Sequence, residues 1–178
     1  MRVIVTGGCG FLGQMLARAL LKRGRILTHA PGAGAEAAVA LKEIVLVDTE
    51  RPAELLVDST EEALRFEIGS IADASFCRSL FSGCADAPVS VFHLGAVMSG
   101  QGEDDFDTCV DVNLHGTLHM LEAARHCGAP RPRFVMASAG ATLGAGAPTD
   151  WLTKDDVVSD ATRATPHTTY GMTKACNE

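Results

Sequence analysis

Residues 2–13 read R-V-I-V-T-G-G-C-G-F-L-G, and their order decides the fold. Val3-Ile4-Val5-Thr6 is a β-branched run without polar alternation, the pattern of a strand buried on both faces. Glycines then fall at 7, 10 and 13, spaced Gly-x-x-Gly-x-x-Gly. Behind them Leu12, Met15, Leu16, Leu20 and Leu21 recur at helical spacing until Lys22, Arg23 and Gly24 close a helix over 11–23. A glycine turn between a buried strand and a helix lets backbone approach a pyrophosphate. The helix N-terminus adds N–H donors and positive dipole character. The stretch therefore reads as a dinucleotide cradle, with Gly7, Gly10, Phe11, Leu12 and Gly13 as its binding residues.

Outward from the cradle, strands and helices alternate. Ile44-Val45-Leu46-Val47-Asp48 reads as a second strand, 64–68 as a third, Val89-Ser90-Val91-Phe92-His93 as a fourth and 133–137 as a fifth. A helix is expected over 72–82, a long helix within roughly 104–127, and the small-residue stretch 28–38 reads as a surface loop. Strands apolar on both faces and separated by helices indicate an α/β fold, a Rossmann-like doubly wound parallel sheet with helices on both faces. At 178 residues the chain suffices for one core, so residues 1–178 are read as a single NAD-binding domain.

Asp48 ends the second strand, where an acid accepts both ribose hydroxyls of an adenosine and repels a 2′-phosphate. The cofactor read from this position is NAD. Its distance from Gly13 exceeds the usual interval of roughly 20 residues, and the 28–38 stretch supplies most of the excess. At the other end 170–174 reads Y-G-M-T-K, with Tyr170 the sole tyrosine and Lys174 one helical turn later. On a helix the two share a face, placing an ammonium near a phenol. Lowering a phenol from pKa ~10 to about 7 needs roughly 4 kcal/mol of phenolate stabilisation. With that, Tyr170 takes a proton from a substrate hydroxyl while hydride leaves the same carbon.

The formal charge of −7 argues against nucleic acid or an anionic membrane as partner. No apolar run is long enough to span a bilayer. Six cysteines without C-x-x-C or zinc-like spacing read as reduced thiols of a cytoplasmic protein, and no metal site is expected.

Four landmarks carry a family resemblance: Thr6 to Gly13, His93-Leu94-Gly95-Ala96, Asp111-Val112-Asn113 with Gly116-Thr117, and Tyr170 with Lys174. Over essentially its whole length the chain resembles the extended short-chain dehydrogenase/reductase family, which contains NAD-dependent sugar epimerases and dehydratases. Within the family it is similar to D-erythronate dehydrogenase-like members. The stretches H-L-G-A-V-M-S-G, D-F-D-T-C-V-D-V-N-L-H-G-T and R-F-V-M-A-S-A-G-A-T-L-G-A carry that likeness. The resemblance implies NAD-dependent oxidation of a hydroxyl on a small sugar acid, D-erythronate-like, to a keto acid. It implies that Leu94, Gly95 and Ala96 line the cofactor cleft, and that Asn113, within the long helix, helps hold the active-site geometry. His93 reads as a strand-end core residue.

Two positions depart from the family pattern. Where the family carries two adjacent hydroxyl residues after the fifth strand, this chain has Ala137-Ser138-Ala139, and the usual catalytic position falls on Ala139. Ser138 substitutes if the loop shifts by one residue, and Thr142 is a more remote candidate. Gly69-Ser70-Ile71 stands where G-D-I is common, leaving Ser70 and Ile71 beside the adenine. Family members also continue well beyond the Tyr/Lys motif. The resemblance thus implies that the C-terminal strands and the substrate lobe are missing, with the fifth strand an uncovered edge and Lys174 in an unfinished helix with little to hold it. A homodimer, or a partner covering that edge, is compatible with this. Alternative readings are an NAD-dependent nucleotide-sugar epimerase or dehydratase relative, and a truncated nucleotide-binding pseudoenzyme without turnover.

Overall fold

The structure is a computed structural model and is described for residues 1–29, 36–51, 54–57, 61–85, 87–144 and 157–178. Its centre is a five-stranded parallel sheet formed by β1 (Arg2–Thr6), β4 (Glu43–Asp48), β5 (Leu64–Ile68), β6 (Val89–His93) and β7 (Arg133–Met136). The order is β5-β4-β1-β6-β7, with β1 flanked by β4 on one side and β6 on the other. Strand order therefore reverses at β1, the point where a doubly wound sheet binds its ligand outside the carboxyl ends of its strands. Helices α1 (Phe11–Arg23), α2 (Ala74–Ser79) and α5 (Gly116–His126) belong to the layers flanking the sheet. Val3, Ile4, Val5 and Ile44, Val45, Leu46 are fully buried, as strands covered on both faces require.

The described residues group into two compact units, Met1–Gly95 with Leu118–Ala137, and Ala96–Thr117 with Ser138–Glu178. The first contains the sheet and a core of Met1, Val3, Val5, Ala17, Leu20, Ile44, Leu46 and Val57. The second is built from α3 (Ser99–Asp104), α4 (Phe106–Val110), a π-helical turn over Asp111–His115, a 3-10 turn over Gly140–Leu143 and α6 (Thr169–Asn177).

Several expected elements take a different form. Part of the 28–38 stretch is strand: β2 (Arg25–His29) and β3 (Glu36–Ala40) make an antiparallel pair with Ile26 opposite Val39. Both of those side chains pack against the core cluster, a gain an open loop would forgo. Residues 30–35 lie outside the described residues. Helix α1 has the expected bounds, but it buries Gly13, Gln14, Ala17 and Leu20, while Leu12 and Met15 face outward. Helix α2 is shorter than 72–82: it starts at Ala74 because the Asp73 side chain caps it, accepting from the backbone N–H of Ser75 and Phe76, and it ends at Ser79.

The long helix expected within roughly 104–127 runs without a break from Phe106 to His126 and has a π-helical turn over Asp111–His115 inside it. Asp105 leaves helical geometry, and its carboxylate accepts from the Thr108 N–H (3.0 Å) and hydroxyl (2.7 Å), so it starts a new helix. After α4 the turn widens, and Asn113 lies in the widened turn rather than in regular helix.

Candidate cofactor cradle and tyrosine–lysine pair

The cradle is assembled from strand ends in the first unit. Thr6, Asp48, Ile68 and His93 close β1, β4, β5 and β6, all pointing the same way, so the segments after them share one edge of the sheet. Gly7 has φ of 65°, and a Cβ there would come within 2.8 Å of the Gly95 backbone nitrogen. A Cβ on Gly13 would lie 2.6 Å from the Gly8 Cα. Neither position admits a side chain without moving backbone, so the two glycines fix how closely turn, helix and the segment after β6 can approach. The Thr6 hydroxyl secures the other side, accepting from the Gly95 N–H (3.0 Å) and sharing a hydrogen bond with His93 Nδ1 (2.9 Å). His93 is 1% exposed, a strand-end core residue as read from the sequence.

Gly10 is the N-cap of α1, and no side chain caps its first N–H groups; the last turn carries Lys22 and Arg23. The positive end of a 13-residue helix thus opens beside the turn without a competing acid in its first turn. Asp48 faces the same turn. Its Oδ2 accepts from the Cys9 N–H at 3.0 Å and its Oδ1 from the Thr49 N–H at 2.9 Å. A carboxylate accepts about four hydrogen bonds, so each oxygen retains capacity for a ribose hydroxyl. The Ser70 hydroxyl accepts from the Ala72 N–H (3.2 Å) and keeps its proton to donate. Ile71 is buried. Phe11 and Leu12 are 70% and 66% exposed, apolar surface at the mouth of the turn. Glycines that exclude any side chain, N–H donors at an uncapped helix start and an accepting acid at a strand end are what a dinucleotide needs, and these residues fit that group.

The second unit holds Ala96, Asn113, Ser138, Tyr170 and Lys174. Thr168 caps α6, its hydroxyl accepting from the Gly171 N–H at 2.9 Å. Tyr170 and Lys174 are 9% and 3% exposed, and Lys174 Nζ lies 5.7 Å from the phenol ring centroid. The pair is therefore on one helix and adjacent, as its spacing predicts. The helix is better anchored than expected: the Glu103 carboxylate accepts from the Thr169 N–H (2.6 Å), and the Thr173 hydroxyl donates to the Tyr170 carbonyl (2.9 Å). Burial, reinforced by Cys109, raises the Tyr170 phenol above its ordinary 10.0, while burial lowers Lys174 below 10.5. In the protein alone the phenol is held protonated.

Asn113 is 2% exposed and clamps the backbone of Val97. Its Oδ1 accepts from the Val97 N–H (2.7 Å) and its Nδ2 donates to the Val97 carbonyl (3.0 Å). The Asn113 carbonyl, in the widened turn, accepts from the Thr117 hydroxyl (2.6 Å) and Asn177 Nδ2 (2.8 Å). Ser138 is exposed, and its hydroxyl donates to the Glu178 carboxylate. Thr142 is buried with its hydroxyl donating to the Ala139 carbonyl at 2.9 Å, which ties it to the 3-10 turn. Sequence reading missed Gln14, which is buried beside the glycine turn. Its signal was the i, i+3 relation to Ala17 on the buried face of α1.

A parallel sheet whose strand order reverses at a glycine turn defines the dinucleotide-binding class of doubly wound folds. Residues 3–178 match the model of the NAD dependent epimerase/dehydratase family, and the chain belongs to that family. It is 37% identical over 179 residues to D-erythronate dehydrogenase of Cupriavidus necator, across all of this chain and 48% of that protein. It is 30% identical to D-erythronate dehydrogenase of Haemophilus influenzae, again across 48% of that protein. Among solved structures it resembles a nucleoside-diphosphate-sugar epimerase of Agrobacterium tumefaciens, with TM-score 0.75 and 26% identity over 99% of this chain and 46% of that one. A dTDP-glucose 4,6-dehydratase from Streptomyces venezuelae shares the fold, with TM-score 0.76 and 24% identity over 99% of this chain and 49% of that one. The chain spans about half the length of the curated relatives it matches.

Proposed function

We propose that this chain is the NAD-holding part of an enzyme that moves hydride from and to a carbohydrate hydroxyl carbon. The observation that carries this reading is the cradle, where Gly7 and Gly13 leave no room for a Cβ and Asp48 faces the uncapped start of α1. Backbone N–H groups at Phe11 and Leu12 would hold the pyrophosphate, and Asp48 the adenosine ribose. Ser70 and Ile71 would lie beside the adenine, with Leu94, Gly95 and Ala96 along the cofactor. Bound NAD would supply the hydride acceptor.

The remaining work falls to side chains of this chain. Tyr170 Oη exchanges the proton of the substrate hydroxyl, acting as base in oxidation and as acid in reduction. Lys174 supplies positive charge beside it, and Asn113 fixes the Val97 backbone. The Ser138 hydroxyl is the candidate to orient the substrate oxygen in place of the residue lost at Ala139. For the substrate, family membership and the epimerase-like fold support a nucleotide-sugar epimerase or dehydratase relative, the reading with the broader backing. The 37% likeness to D-erythronate dehydrogenase supports a small sugar acid.

Calorimetric titration with NAD, followed by assays with four-carbon sugar acids and with nucleotide sugars, separates these readings. Saturable binding is expected, and none at millimolar NAD overturns the proposal. NADH formation with a sugar acid selects the dehydrogenase. Interconversion of nucleotide sugars without net NADH selects the epimerase. Binding with neither reaction overturns the catalytic part and leaves a nucleotide-binding protein.

A further inference from the structure

Gln14 is 5% exposed on α1, and both ends of its amide are engaged. Its Nε2 donates to the Cys9 carbonyl at 2.7 Å, and its Oε1 accepts from the Leu56 N–H at 2.6 Å. Cys9 is the middle of the glycine turn, and its own N–H donates to Asp48 at 3.0 Å. A continuous series results: Asp48 holds Cys9 through its nitrogen, Gln14 holds Cys9 through its oxygen, and Gln14 in turn holds Leu56. Val57, next in the chain, is 5% exposed in the core cluster, so this short segment is fastened on both sides. A buried amide with matched partners at both ends specifies one arrangement, because any other leaves buried polar groups without partners.

We infer that Gln14 is a positioning residue that locks the glycine turn to the 54–57 segment and so presets the turn for a dinucleotide. The inference rests on the NAD reading above. Gln14 does not contact the reacting atoms; it acts through Cys9, whose carbonyl direction sets the peptide leading into the Gly10 N-cap. A side chain that cannot donate to Cys9 frees that peptide to rotate, and the turn must then be reordered each time a dinucleotide binds.

The test compares the full chain with Gln14→Met, which keeps length and apolar bulk and loses both hydrogen bonds. Calorimetry should show NAD binding weakened about tenfold, the effect of losing one buried hydrogen bond's alignment. Hydrogen exchange at the Leu56 amide supplies a readout that a purely structural role would not move. In the unmutated chain saturating NAD should slow this amide at least about tenfold. In Gln14→Met, with NAD at its own saturating concentration, that slowing should disappear. An unmutated chain that binds NAD with no change at Leu56 overturns the inference even where the variant fails to fold. So does a folded Gln14→Met with NAD affinity within about twofold of the parent. Failure of the unmutated chain to bind NAD overturns the NAD reading itself.

Discussion

Tyr170 is legible in position from the sequence alone, while its protonation state depends on the groups around it. Its spacing to Lys174 places both on one helix face, and the structure puts Nζ 5.7 Å from the ring. Burial nevertheless holds the phenol protonated, and Cys109 adds to that effect. A phenol whose pKa is raised on folding keeps its proton where the unfolded chain has lost it, so its contribution to stability falls as pH rises above 10.0. Lys174 has the opposite sign: its folded pKa lies below 10.5, so stability rises as pH climbs through the folded value toward 10.5. Because Tyr170 is the sole tyrosine, phenolate absorbance reads it alone. Without cofactor the titration midpoint should lie above 10.0, and oxidised NAD, whose nicotinamide carries positive charge, should bring it down. A midpoint already below 10.0 in the protein alone would contradict the burial argument.

At the scale of elements, the chain's legibility divides by the kind of signal each segment carries. Strands β1, β4 and β6 were readable because central parallel strands are largely apolar runs, a signal that needs no knowledge of neighbours. The bounds of α1 were readable from its glycines and its basic last turn. Which of its faces is buried was not, since Leu12 and Met15 are exposed while Gln14 is inside. The long helix within roughly 104–127 was readable, but the widened turn inside it was not. Asp105 caps its start, and periodicity runs on through Asn113 without announcing that the turn over Asp111–His115 is widened. That turn has a role in holding Val97, which is 8% exposed. Asn113→Ala would leave the Val97 N–H and carbonyl without partners, at a cost of about 2–4 kcal/mol. Denaturant unfolding measures this directly, and a loss under about 0.5 kcal/mol would show that the clamp is replaced by other partners or by water.

Across the whole molecule, the cradle is not a local motif that happens to sit on a sheet. Its parts come from the ends of four strands: the turn after β1, the acid ending β4, Ser70 and Ile71 after β5, and Leu94 and Gly95 after β6. None of them is in place unless β1 is already paired with β4 and β6. Dinucleotide binding is therefore linked to formation of the sheet itself, and its free energy should appear in the most protected amides rather than only in the glycine turn. At a ligand concentration of about 100 times Kd, linkage adds roughly 2.7 kcal/mol to the folded state. Backbone amides of Val3–Val5 and Ile44–Val47, the fully buried strand centres, should then exchange about a hundredfold more slowly. A slowing confined to residues 7–13, with these strands unchanged, would mean that the sheet opens while the cradle stays intact. The turn would then bind by its own local order, contrary to its construction from four strand ends.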